Sequence, residues 1–162
     1  KVNIAGEYEI DGYEFNIQLP LGPYVEMLEG FGLDANYTVL NTNVATEDEL
    51  LPFIPTSPRG FIDDVYNATV YYENATFDVR LSFNHKSEYY DNISYNLYPI
   101  YREAYDQFDL STGYQVTDEI KVSLKVINLT DEVPNGYNMS PSFLTKNETT
   151  GRRISLGVRA DF

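Results

Sequence analysis

From Arg153 to the last residue the chain alternates without a break. Ile154, Leu156, Val158, Ala160 and Phe162 are apolar, whereas Arg153, Ser155, Gly157, Arg159 and Asp161 are charged, polar or glycine. A period of 2 dictates one extended strand with a greasy face and a wet face. Chain ends in water tend to fray, so a final aromatic on the greasy side points to a strand that meets lipid outside and a polar lumen inside. The fold class that follows is all-β, built from antiparallel transmembrane β-barrel strands.

The same beat recurs upstream. Ile120, Val122, Leu124 and Val126 alternate with Lys121, Ser123 and Lys125, and Phe108 to Val116 carries a comparable pattern. Phe77 to Phe83, Tyr66 to Tyr72 and Leu33 to Val39 repeat it. Each has the length and one-sided apolarity of a barrel strand. The first segment changes phase: Tyr8 and Ile10 lie on one beat, and Tyr13, Phe15, Ile17 and Leu19 on the other. The switch at Asp11-Gly12 reads as a β-bulge in one long strand, with a two-residue hairpin turn as the alternative. Seven strands follow from the first reading and eight from the second. Connections at 73–75 and 116–119 are tight and that at 20–30 moderate, whereas 42–64, 88–106 and 129–151 are long. Short turns on one rim and long loops on the other are barrel architecture. Only single helical turns are predicted, at Tyr24–Glu29 and Thr46–Leu51.

Composition narrows function further. The 162 residues suffice for one domain, and they include 15 Tyr and 9 Phe but no Trp and no Cys. Disulfides, thiolate metal sites and cysteine nucleophiles are therefore excluded. A net charge of -14 argues against nucleic acid, whose binders need a basic face. No apolar run reaches the roughly 18 residues of a spanning helix, which leaves barrel strands untouched. The start at Lys1, without Met or a signal peptide, reads as a processed or cut N-terminus. With one histidine, His85, and no assembled acid, base and nucleophile, the chain does not read as an enzyme.

The long loops carry the candidate chemistry. They hold twelve Asp or Glu against Arg59, Arg102 and Lys146, a balance of -9 that would repel anionic chelates unless basic residues elsewhere compensate. That favours a neutral ligand such as an oligosaccharide. Tyr95, Tyr98 and Tyr101, deep in one loop, are ligand-stacking candidates, with Arg59 and Arg102 beside them. Tyr89 and Tyr105, nearer the strand ends, read as part of an interfacial aromatic girdle. The acid pairs read as solvated loop surface and not as a metal site. Seven Asn-X-Ser/Thr triplets read as products of an Asn-rich composition, since those at Asn36 and Asn67 fall inside strands.

These segments together resemble one family. Gly12-Tyr13-Glu14-Phe15 and Gly30-Phe31-Gly32-Leu33-Asp34-Ala35-Asn36-Tyr37-Thr38 look like late strands of TonB-dependent outer-membrane receptors. Arg80 to Tyr89 resembles the family's strand ending in an Arg-Ser-Glu-Tyr-like corner, with Lys86 in place of the usual Arg. Val126 to Glu132 resembles its Asn-Leu-Thr-Asp motif, and Gly151-Arg152-Arg153 with the terminal strand resembles its closing strand.

The resemblance implies that residues 1–162 are the C-terminal part of a barrel of about 22 strands, with the plug domain lying outside this chain. It implies a place in the outer membrane and uptake of a scarce nutrient, a small molecule, metal chelate or oligosaccharide. The partners it implies are outer-membrane lipid, the ligand, and the TonB energy-coupling system acting through the plug. It also implies that Gly157, Val158 and Phe162 form the signal read by the barrel-assembly machinery. No cofactor is implied. Two rival expectations stand beside it. One is a complete eight-stranded barrel for adhesion or envelope integrity, and the other a soluble β-sandwich that binds carbohydrate.

Overall fold

The computed structural model describes residues 8–44, 57–96, 98–147 and 151–161. Eleven strands follow in order: β1 (Tyr8–Pro20), β2 (Phe31–Val44), β3 (Asp64–Glu73), β4 (Phe77–Lys86), β5 (Tyr89–Ile93), β6 (Pro99–Arg102), β7 (Tyr105–Thr117), β8 (Ile120–Ile127), β9 (Asn135–Asn138), β10 (Ser140–Asn147) and β11 (Arg153–Ala160). One 3-10 turn, Glu26–Leu28, lies within the predicted Tyr24–Glu29 turn. The predicted turn at Thr46–Leu51 lies outside the described residues.

Seven strands form one antiparallel sheet in the order β1-β2-β3-β4-β7-β8-β11. Its register aligns like with like. Leu19, Leu33, Val70, Leu81, Leu110, Val126 and Ile154 form one apolar row that crosses all seven strands. On the opposite face Asn16, Asn36, Asn67, Asn84 and Gln107 pair in a row of amides across five strands. Asn36 Nδ2 donates to Asn16 Oδ1 at 2.8 Å and to Glu14 Oε1 at 3.0 Å. A single-residue slip would send every amide to the apolar side, so this pairing is strongly specified. The abundance of Asn thus has a structural use, and Asn36 and Asn67 serve the ladder.

The apolar face has no second layer among the described residues. Ile154, Leu156 and Val158 are 67–75% exposed, and among the described residues the buried hydrophobic ones are Val126 and Tyr137. An aqueous protein would not leave such a face bare, which argues against the sandwich. Aromatic rings border the face at both levels. Phe31 and Tyr72 lie 4.7 Å apart at the short-turn side, while Tyr37, Tyr66, Phe83 and Phe108 form a chain of rings toward the long loops.

The expected bulge at Asp11-Gly12 is absent, and so is the alternative hairpin. Asp11 pairs with Asn41 and Gly12 with Leu40 in unbroken register. What changes is the environment. Past this level Glu9, Asp11, Asn41 and Asn43 take the outward face, while Ile10 and Leu40 turn inward. Both strands invert polarity together, as they must where the outer surroundings pass from lipid to water. Gly12 suits that level, since a Cβ there would clash with the Val39 carbonyl oxygen. Nor does β1 pair with β11. Among the described residues this seven-stranded sheet is open, and no closed eight-stranded barrel forms.

Candidate functional site

The loops at 88–106 and 129–151, which carry no strand pattern in the sequence, build a second antiparallel sheet in the order β10-β9-β6-β5. Two motif corners launch it. Asn128 is 2% exposed and adopts φ +58°, a left-handed conformation that Asn tolerates better than most residues. Its side chain donates to the Glu132 carbonyl and accepts the Glu132 N–H, both at 2.8 Å. Its own N–H donates to Asp109 Oδ1 at 2.9 Å. Asp131 Oδ1 then accepts the Arg152 N–H at 2.9 Å, which aims the chain into β11. At the other corner Ser87 Oγ accepts the Asp64 N–H and the Ser87 N–H donates to the Asp64 carbonyl.

Separate loops are joined by this sheet. Ile100, Tyr101 and Arg102 of β6 pair with Asn138, Tyr137 and Gly136 of β9. The Glu103 N–H donates to the Asn135 carbonyl and the Met139 N–H to the Pro99 carbonyl. The 57–63 segment joins as well, through the Gly60 N–H to the Tyr90 carbonyl at 2.8 Å and Arg59 Nε to the Asp91 carbonyl. Three loops that are distant in sequence become one outer layer.

Its centre is a row of rings. Tyr101 stacks on Tyr137 with centroids 5.4 Å apart and meets Tyr90 edge-on at 6.2 Å. Burial, followed by a hydrogen bond to the Glu88 carboxylate, raises the Tyr137 hydroxyl well above the ordinary tyrosine range. Burial likewise raises Tyr101, with the Glu88 charge adding to it. Beside this row is a cavity of about 220 Å³ lined by Ser57, Phe61, Asp63, Glu88, Tyr89, Tyr90 and Tyr101. Ring faces with carboxylate and hydroxyl acceptors suit a polyhydroxylated ligand, whose C–H faces stack while its hydroxyls donate.

The residues singled out from sequence are divided by the structure. Tyr101 lines the cavity. Tyr95 is fully exposed at the β5–β6 tip and Tyr98 is exposed next to it, so neither lines that cavity. Arg102 Nε bonds Asp91 Oδ2 at 2.9 Å, with the arginine side chain only 15% exposed. Because Arg59 holds the carbonyl of the same Asp91, both arginines brace the outer sheet. Tyr89 and Tyr105 are not girdle residues: their rings flank the Lys86 ammonium at 5.7 and 5.4 Å on the polar face. Glu88 and Tyr137 escaped sequence reasoning, because a pairing between two loops leaves no periodic trace.

His85 stacks on Tyr66 at 4.3 Å and meets Asp106 at 2.5 Å on the outward face, away from the cavity. Among the described residues no group of three or more His, Cys, Asp or Glu could hold a metal. In β11, Gly157 lies opposite Ser123 and Val158 opposite Val122 on the outermost strand; Phe162 lies outside the described residues.

Comparison with known proteins adds an independent line. The family model described as TonB dependent receptor-like, beta-barrel, matches residues 1–129. The pesticin receptor of Yersinia enterocolitica is 27% identical over 98% of this chain, and that of Yersinia pestis 26% identical over the same share. The chain spans 23% of the length of these relatives. No solved structure matches.

Proposed function

The chain belongs to the TonB-dependent receptor β-barrel family, and we propose that it forms the closing strands and outer loops of a receptor that takes up a scarce nutrient across the outer membrane. The family is one of transport receptors and not of enzymes. Under this reading residues 1–162 are the C-terminal part of the barrel domain. The remaining strands and the plug, through which TonB supplies energy, come from elsewhere in the receptor.

One observation carries the reading. Among the described residues the seven-stranded sheet has an exposed apolar face, a polar opposite face, and unpaired edges at β1 and β11. Unpaired edges in a bilayer leave backbone groups without partners, which closure with further strands removes. The proposed mechanism starts at the outer sheet. Tyr90, Tyr101 and the adjoining carboxylates receive the ligand, an oligosaccharide or a chelate, while Tyr95 and Tyr98 form its first exposed contacts. The inner polar wall then guides the ligand past a displaced plug. Gly157, Val158 and Phe162 act earlier, during delivery to the barrel-assembly machinery.

The test is intact mass combined with membrane fractionation of the native protein. The expected result is an outer-membrane detergent extract whose mass is several times the 18.6 kDa of this chain. Recovery in the soluble fraction would overturn the reading.

A further inference from the structure

The outer sheet repeats the strand order of the wall one level up. In the chain β5 follows β4, β6 leads into β7, β9 follows β8 and β10 leads into β11, and the outer order β5-β6-β9-β10 matches the wall order β4-β7-β8-β11. Neighbours in the wall are therefore neighbours above it. The rule also holds beyond the β5 edge. The segment 57–63 leads into β3, the wall partner of β4, and it caps β5 through the Gly60 N–H to the Tyr90 carbonyl and Arg59 Nε to the Asp91 carbonyl.

At the other end of the outer sheet, the far edge of β10 takes no strand among the described residues. That edge is apolar: Met139, Phe143 and Leu144 are all more than half exposed, Phe143 at 67%. In a layer that meets water, an open strand edge carrying contiguous apolar side chains marks a contact surface. The edge is also irregular. Ser140 pairs with Asn138, the register then breaks, and pairing with β9 resumes at residues 144–147, so that 141–143 stand off the sheet. Such a bulge refuses a long added strand and leaves room for a short extended stretch, the kind of cover that 57–63 gives β5.

Beneath β10 lies β11, the free edge of the wall. Under the uptake reading a further strand of the receptor pairs with β11, and the chain spans 23% of the length of its relatives, which leaves ample sequence to supply it. We propose that the outer segment attached to that strand caps β10: a short extended stretch bonds to the β10 backbone and lays apolar side chains over Phe143 and Leu144. The proposal rests on the uptake reading and goes beyond it, since closing the wall does not require the outer layer to close. A cap on β10 holds the loops that carry Tyr90, Tyr101 and Tyr137 from both sides, with 57–63 at one end and the new segment at the other.

The experiment uses the full-length receptor in detergent and a maleimide as probe. These 162 residues contain no Cys, so an introduced cysteine reports alone once any elsewhere in the receptor are replaced by Ser. Phe143→Cys should react about tenfold more slowly than Tyr95→Cys, whose side chain is fully exposed at the β5–β6 tip. Deleting the outer loop of the strand that pairs with β11 should bring Phe143→Cys up to the Tyr95→Cys rate. Amides of 140–147 in a receptor without introduced cysteines should lose protection from hydrogen exchange with the same deletion. Those of β7 and β8 should keep theirs, which separates uncapping from unfolding. Equal rates for the two cysteines in the intact receptor overturn the proposal. Protection that survives the deletion, or that fades on dilution, overturns it too, by assigning the cover to another segment or to a second copy. A receptor absent from the outer membrane would sink the uptake reading and the cap together. A receptor several times the mass of this chain, present there with a freely reactive Phe143→Cys, would sink the cap alone.

Discussion

Asn128 combines a left-handed backbone, near-complete burial and three hydrogen bonds, so its identity is set by geometry at every atom. Asn128→Ala keeps the backbone bond but strands the Glu132 N–H and carbonyl, and it puts a Cβ-bearing residue without a helpful amide into the left-handed region. The combined cost is about 2–4 kcal/mol. Asn128→Gly should recover the backbone share alone. Chemical unfolding of the full receptor in detergent checks the order wild type, Gly, Ala. Tyr137 makes a pH-dependent prediction. Its folded pKa is raised above the ordinary 10.0, so its contribution to stability is fully present below pH 10. Above that the unfolded chain ionises first, and the contribution is lost as pH rises toward the folded value. Hydrogen exchange of β9 should quicken from pH 10 upward, and Tyr137→Phe should flatten that dependence. An unchanged slope in the Phe variant would remove Tyr137 from the account.

Strand β11 separates its two faces most cleanly. Leu156 pairs with Leu124 on the apolar side, and Ser155 pairs with Lys125 on the polar side. Leu156→Arg places a charge in lipid and should cost about 2–4 kcal/mol, less if the residue sits near an interface. Ser155→Gln on the inner face should change stability little. The folded fraction recovered from outer membranes distinguishes them, and equal effects would mean that the faces have been assigned the wrong way round. These alternating strands were legible because lipid on one side and a polar lumen on the other leave a period of 2 in the residues. The strands β5, β6, β9 and β10 were not legible. They are short, both faces are partly wet, and their partners lie in another loop, so no local alternation was required of them. The same reasoning explains Arg59 and Arg102. As charges in acidic loops they looked available to a ligand, and only the fold brings Asp91 to both. Asp91→Ala should loosen the outer sheet by about 1.5–3 kcal/mol, the range for hydrogen bonds to charged groups, seen as faster exchange at 89–102.

At the scale of the whole molecule the two sheets differ in what secures them. The wall is held by long ladders with aligned rows on both faces, and the outer sheet by short pairings between loops. Stability should be layered accordingly. Amides of β5, β6 and β9 should exchange together and faster than those of β4, β7 and β8, and independent exchange of the two loops would refute a single outer layer. Register also sorts charge at this scale, since it puts Arg80, Lys86, Lys121, Lys125, Arg153 and Arg159 on the inward face of β4, β8 and β11. Sequence counting put -9 on the long loops; among the described residues the structure sets Lys86 and Arg153 on the polar face beneath them. The sequence by itself determined the class of fold, the seven spanning strands and their lipid faces, since alternation is a local record of a two-sided environment. Only the tertiary structure decided that Asp11-Gly12 continues a regular strand, that three loops become one layer, and that Arg59 and Arg102 meet at Asp91. Those outcomes depend on residues far apart in the chain that register brings side by side, and no local pattern encodes them.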